Sequence, residues 1–202
     1  MSTLQTTNLK NPSSGSNNIV LATDGSTTIT TLNGTTITGT SVRGVITSGT
    51  AVASTSGTAI DFTSIPSWVK RVTVMFNGVS TNGASNYLVQ IGTGGSPTTT
   101  GYNALCTRAW SANQVNSYTS TAGFIYGSDQ AGFAWYGHIV LTNISGNTWV
   151  ASGLIGTTLS TTMTIQGTGS LALGGVLERV RITTVNGTDA FDAGSINILY
   201  EG

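Results

Sequence analysis

The 202-residue chain is nearly devoid of charge. Seven Lys and Arg side chains and seven Asp and Glu make up 7% of it, with a formal net charge of zero, against about 25% in ordinary globular domains. A nucleic-acid surface needs a cationic excess to neutralise phosphates, and none exists, so no nucleic-acid partner is expected. No polybasic run serves an anionic membrane surface. Apolar runs are too short for a membrane-crossing helix, so no membrane insertion is expected. The opening MSTLQTTNLKNPSSG lacks the apolar stretch of a secretory signal. Cys106 is the only cysteine, which excludes an intramolecular disulfide. Runs of Ala, Leu, Glu and Lys are missing, so long helices are not expected.

What the chain does hold is Thr, Ser, Asn, Val and 27 glycines, and it is 38% hydrophobic. Threonine and valine favour strands, and glycine favours turns and bulges. An uncharged chain with this much apolar content can bury a core, unlike a disordered one. Hydroxyls and amides hydrate its surface without creating a field.

Residues 1–50 differ from the rest. They contain no aromatic residue and three charges, Lys10, Asp24 and Arg43. From Leu32 a five-residue period runs through Leu32-Asn-Gly34, Ile37-Thr-Gly39, Val42-Arg-Gly44 and Thr47-Ser-Gly49. One chain this thin cannot bury its aliphatics alone. Three chains wound about a common axis can, so residues 1–50 are expected to be an extended arm that anchors and trimerises.

Residues 51–202 are expected to form one antiparallel β-sandwich of jelly-roll type. Val72, Val74 and Phe76 alternate with Arg71, Thr73 and Met75, and Asn77-Gly78 is expected to be a tight turn. Tyr87, Val89 and Ile91 alternate again. Tyr136, His138, Val140 and Thr142 share one strand face, with Ile139 and Leu141 on the other. Ser145-Gly146-Asn147 turns into Trp149-Val150-Ala151. Val180 and Ile182 alternate with Arg179 and Arg181, Asn186-Gly187 closes that segment, and Ile196, Ile198 and Tyr200 mark a terminal strand. Residues 93–133 look irregular and are expected to be long loops with short strands at one end.

Enzyme chemistry finds little support. His138, the only histidine, sits in a strand pattern as a buried or half-buried structural residue, and no G-x-S-x-G elbow accompanies it. Cys106 is read as a small core residue. Glycosidases need a pair of carboxylates; the candidates Asp61, Asp129, Glu178, Asp189, Asp192 and Glu201 are scattered. Asp189 and Asp192 share a loop that resembles a weak calcium site but lacks EF-hand spacing, and it reads as a plain polar loop. Gly92-Thr-Gly94-Gly95-Ser96-Pro97 lacks the lysine of a phosphate loop and is a glycine turn. We therefore expect no catalytic residue, no cofactor and no metal.

The informative cluster is aromatic. Trp110, Tyr118, Phe124, Tyr126, Phe133, Trp135 and Tyr136 fall in a stretch rich in Asn, Gln and Ser. Aromatic faces stack on sugars while amides bond their hydroxyls, and the same residues also fill cores and interfaces. Trp110, Tyr118 and Tyr126, with polar neighbours, are the candidates for contact with glycan.

Three stretches carry a resemblance. Leu4-Gln-Thr-Thr-Asn-Leu-Lys-Asn-Pro-Ser-Ser-Gly-Ser-Asn-Asn-Ile19, running on to Asp24-Gly25, resembles the start of fibre-like virion appendage proteins of marine, cyanophage-like tailed bacteriophages. Asp61 through Thr81, and Val180 through Tyr200, are similar to fibre or tail-associated domains. The resemblance implies a structural virion protein, often a homotrimer, and carries over no active residue. The expected function is a tail-fibre or spike subunit: the arm attaches to other tail or capsid proteins, and the sandwich contacts host cell-surface glycan. The alternative is a capsid or tail decoration, a head fibre, that stabilises the particle without receptor binding. A Thr/Ser/Asn-rich surface without an export signal fits assembly in host cytoplasm and release by lysis.

Overall fold

A computed structural model describes residues 8, 9, 13, 19–21, 27–29, 46–110, 114–128, 130–157 and 162–202. The chain divides into two compact units, Met1–Arg43 and Gly44–Gly202. All regular structure among the described residues is β.

In the first unit, β1 (Asn8–Leu9), β2 (Ile19–Leu21) and β3 (Thr27–Ile29) form one antiparallel sheet in that order. Register places Leu9, Ile19 and Ile29 in one cross-strand row. These strands span two or three residues, where globular strands average about five or six. Of the five-residue period, Leu32 through Gly44, including Ile37, lies outside the described residues.

The second unit opens with β4 (Ile46–Ser48) and β5 (Val52–Ala53). Next come β6 (Ala59–Thr63), β7 (Arg71–Thr81), β8 (Tyr87–Thr93) and β9 (Ser96–Pro97). The middle holds β10 (Asn103–Trp110), β11 (Val115–Ser120) and β12 (Phe124–Tyr126). Long strands follow: β13 (Trp135–Ser145), β14 (Thr148–Thr157) and β15 (Met163–Ala172), then β16 (Arg179–Thr184) and β17 (Phe191–Glu201). A nine-stranded sheet runs β11-β10-β15-β14-β13-β7-β17-β4, with β5 also on β17. A five-stranded sheet runs β12-β8-β16-β6, with β9 on β8. The two antiparallel sheets pack face to face as a β-sandwich. The chain crosses between the sheets repeatedly in the jelly-roll manner, while β4–β5, β8–β9, β10–β11 and the β13–β14–β15 meander each stay within one sheet.

The alternation read from sequence is what fills the core. Val72, Val74 and Phe76 of β7 point inward with Ile139 and Leu141 of β13, opposite Val89, Ile91, Val180 and Ile182 of the smaller sheet. Trp135 is fully buried among them. Burying such side chains contributes about 1.5–3 kcal/mol each, which offsets the entropy of ordering long strands. Gly146-Asn147 closes the β13–β14 hairpin with Gly146 at φ 52°, and Gly94-Gly95 closes β8–β9 with φ of 62° and 84°. Both require positive φ, which glycine adopts without a Cβ clash.

Three expectations are corrected. Asn77-Gly78 is not a turn. Gly78, at φ 66°, is an extra residue inside β7, because Trp135 pairs with Val79 and Tyr136 with Asn77. The left-handed conformation that makes Asn-Gly a turn signal serves equally for a bulge. Residues 93–133 hold more strand than expected: β9–β12 take up nearly half of them, and β10 alone runs for eight residues. Their inward positions include Cys106 and Arg108 alongside Ala104, which hides the period-two signal. Residues 46–53, read with the arm at their start, pair with β17 as an edge of the larger sheet.

Register also fixes the two ends of the sandwich. Ile46, Glu201, Arg71 and Thr142 lie in one row, so the chain comes into the sandwich beside its own C-terminal strand. Trp110, Met163 and Thr157 lie in a row at the opposite end.

The outer face of the smaller sheet carries an ion cluster. Asp61 accepts hydrogen bonds from Arg181 Nε at 3.0 Å and Nη2 at 2.8 Å, and from Arg179 Nη1 at 3.1 Å. Partial burial pushes the Asp61 carboxyl up, but the hydrogen bonds and charge of Arg181, joined by those of Arg179, outweigh it and hold it below 3.8. The stability this supplies is complete above the unfolded-state value of about 4 and is lost as pH falls through the lower folded value. Asp61→Asn is therefore expected to cost about 1 kcal/mol at neutral pH, given the bidentate but part-exposed geometry, and to flatten the decline in stability below about pH 4. Urea unfolding of both proteins at pH 7 and pH 3 checks this; an equal decline in the two would refute it.

Candidate functional site

The centre of the larger sheet is built on glycine. Gly153 of β14 and Gly167 of β15 are cross-strand partners, and Gly167 also pairs with Cys106 of β10. These are inward positions, alternating with the exposed Ser152, Leu154, Gln166 and Thr168. A Cβ on Gly167 would lie 2.6 Å from Cε1 of Tyr126, and one on Gly153 would lie 2.8 Å from the His138 carbonyl. The ring of Tyr126, on the opposing sheet, thus rests directly against the β15 backbone.

Above this glycine pair, on the outer face, lies a trough of about 510 Å³ with Gly153 and Gly167 among its lining residues. Two cross-strand rows form it. One is His138–Leu154–Gln166–Thr107 and the next is Val140–Ser152–Thr168–Leu105. None of its lining residues is an aspartate, glutamate, lysine or arginine. Leu105 and Leu154 stand 47% and 48% exposed, which puts apolar walls in reach of a ligand. His138, expected to be buried or half-buried, is exposed on this face. The alternation that placed it in a strand was right, but composition does not say which face of a strand is covered.

The predicted aromatics divide. Tyr126 is 1% exposed, and burial pushes its phenol above the usual range, with Cys106 adding to the effect. It is a core residue whose ring no glycan reaches, and that candidate is withdrawn. Phe124 and Trp135 are core as well. Trp110 and Tyr118 are half-buried on the inner face, where β10 and β11 pair Cys106 with Tyr118 and Arg108 with Asn116. Between them sits Arg108, 3% exposed. Its guanidinium carbon is 4.4 Å from the Trp110 ring centroid and 5.4 Å from that of Tyr118. Nη1 donates to the Ser128 carbonyl at 3.1 Å, and Nη2 lies 3.4 Å from Asn116 Oδ1. A cation over an aromatic face gains about 2 kcal/mol when desolvated, so each ring offers one face to Arg108. The two rings that the sequence offered for glycan contact stand on either side of Arg108, which sequence reasoning did not place between them.

Of the scattered carboxylates, Asp129 lies outside the described residues, and the others have structural partners. Glu178 accepts from Gly94 N–H at 2.6 Å, Asp189 accepts from Ser85 N–H at 2.9 Å, and Asp192 accepts from the Ser80 hydroxyl. Asn186 Oδ1 accepts from the N–H groups of Thr188 and Asp189, which shapes the loop. Among the described residues, no three His, Cys, Asp or Glu side chains converge as metal ligands, and no helix is long and apolar enough to cross a membrane.

Comparison with protein-family models, with curated proteins and with solved structures finds no match.

The glycine pair makes a direct prediction. Gly167→Ala forces the Tyr126 ring or the β15 backbone to move and is expected to lower stability by about 1–3 kcal/mol, the usual cost of overpacking. The double variant with Tyr126→Leu is expected to recover part of that loss. Urea midpoints at constant m-value measure both; a Gly167→Ala protein as stable as wild type would overturn the packing argument.

Proposed function

We propose that the protein is a non-enzymatic structural subunit of a tailed-bacteriophage particle, a tail-fibre or spike protein that assembles as a homotrimer. In this reading the N-terminal unit attaches to other tail or capsid proteins, the sandwich of residues 44–202 contacts the host surface, and the protein resides in the virion. The observation that carries it is the pairing of two unlike units in one chain. The first is an aromatic-free segment whose described strands of two or three residues cannot hold a core by themselves. The second is a long-stranded, nearly uncharged sandwich with an extensive core of its own.

Support comes from three directions. Register aligns Leu9, Ile19 and Ile29, the sequence after them carries the five-residue aliphatic–glycine period, and copies of the chain would give a segment this thin a shared core. The phrases Leu4–Gly25, Asp61–Thr81 and Val180–Tyr200 resemble phage appendage proteins. The carboxylates at hand are engaged with arginines, backbone amides and a hydroxyl, which favours a structural role for them over acid–base work.

Light scattering on the full chain is expected to give three times 20.6 kDa, and Ile37→Asp is expected to shift the population toward monomer, because three unpaired carboxylates would meet near one axis. A wild-type protein that stays monomeric at every accessible concentration would refute the trimer. Electron microscopy of particles labelled at this subunit tests its place. Density on tail appendages supports host contact, density on the head supports the decoration reading, and absence from particles overturns both.

A further inference from the structure

We propose that the trough on the outer face of the larger sheet is a binding site for a short neutral oligosaccharide, distinct from the Trp110–Tyr118 pair. The proposal deepens the host-contact reading and rests on it only for the source of the glycan. Whether the trough takes sugar is decided without any particle.

Four observations lead there. First, the trough is about 510 Å³, inside the range of about 300–1,000 Å³ typical of small-ligand sites. Second, none of its lining residues is an Asp, Glu, Lys or Arg, so nothing in it offsets the desolvation of an ionic ligand such as a phosphate or uronate. Third, its polar groups are Thr107, His138, Ser152, Gln166 and Thr168. Each both donates and accepts hydrogen bonds, matching sugar hydroxyls, which also do both. Fourth, Leu154 interrupts one polar row, and Val140 and Leu105 close the two ends of the other, giving C–H faces of a pyranose an apolar rest beside hydrogen-bonding groups.

A second copy of the chain is the competing occupant. An obligate self-interface is usually more apolar than this, with polar groups gathered at its rim. Here the Thr168 hydroxyl and the Gln166 amide occupy the middle of the trough, on β15 between Leu105 and Leu154. Hydrogen-bonding groups at the centre suit a ligand made of hydroxyls. The floor is consistent with close approach: Gly153 and Gly167 present backbone, and the Tyr126 ring beneath keeps it from yielding.

The test uses the full-length protein and a panel of neutral di- to tetrasaccharides of glucose, galactose, mannose and N-acetylglucosamine. Saturation-transfer NMR and backbone-amide shifts are the readouts. At least one probe is expected to bind at millimolar concentration and to shift amides of residues 105–107, 152–154 and 166–168 more than those of 179–181. Ser152→Trp fills the trough from an exposed position, and Gln166→Leu removes the amide at similar size. Each is expected to weaken binding tenfold or more, with the melting temperature and the oligomeric mass unchanged. Arg181→Ala, on the other sheet, leaves binding intact. The proposal is overturned if no probe binds, if binding survives both substitutions, or if Ser152→Trp lowers the oligomeric mass and so marks the face as self-interface. The homotrimer and virion readings stand or fall on mass and microscopy instead, so the two failures are distinguishable.

Discussion

The contact between the Tyr126 ring and the backbone of Gly167 joins the core of this sandwich to its surface. On the inside, the absent side chains at Gly153 and Gly167 let the smaller sheet bring a full aromatic ring against β15. On the outside, the same two residues line an open trough. Packing in protein interiors is dense enough that a ring cannot be admitted without something else being removed, and here the Cβ atoms of the facing strands are what is missing. Among the described residues the Tyr126 hydroxyl has no hydrogen-bond partner, so the ring is held by shape more than by polar contact. That arrangement costs the desolvation of a phenol, and it persists because Phe124 and Ile125 on the same strand are buried with it.

The charges are as unevenly placed as they are few. Asp61, Arg179 and Arg181 hold one another on the smaller sheet. Arg71 and Glu201 pair at 3.5 Å at the end where the chain comes in. Arg108 lies inside, between two rings. The middle of the larger sheet's outer face is left to hydroxyls, an amide, an imidazole and aliphatic groups. With net charge zero and these local pairings, the molecule generates little long-range field. Register within the sheets is then specified by the alternation of core side chains and by glycine bulges, since a slip of one residue would expose every buried valine.

Much of the sandwich was legible because β7, β13, β16 and β17 alternate Val, Ile and aromatics with Thr, Arg and Asn. The β13–β14 hairpin was legible from Ser145-Gly146-Asn147. What escaped did so for particular reasons. β10 buries Ala104, Cys106 and Arg108 in succession, and a buried arginine reads as a surface residue until the rings that receive it are located. Tyr126 lies among Gly, Ser, Asp and Gln, so it looked solvent-facing, but β12 pairs with the buried β8 and places it inside. Asn77-Gly78 was read as a turn because positive φ is shared by turns and bulges, and only the strands flanking it decide between them. The trough was not legible at all. Its residues come from four strands between positions 105 and 168, and no short-range pattern announces that they share a face.

The composition of that face bears on how attachment would work. Contacts made only of hydroxyl, amide and aliphatic groups are weak one at a time, because each hydrogen bond to a sugar replaces one to water. A neutral site also forgoes electrostatic steering, so its encounter rate should vary little with ionic strength. Neither property handicaps a particle that carries many copies. Once one trough is occupied, the others on the proposed trimer meet neighbouring glycan at high effective concentration, and avidity can exceed the single-site affinity by about two to four orders of magnitude where geometry permits joint engagement. Weak, uncharged sites also release readily, which lets a multivalent object exchange contacts along a surface instead of freezing at the first one. A nearly uncharged sandwich with a backbone-floored trough is a coherent solution for that task, and its ion pairs lie on the smaller sheet and at the Arg71–Glu201 end of the larger one, away from the trough.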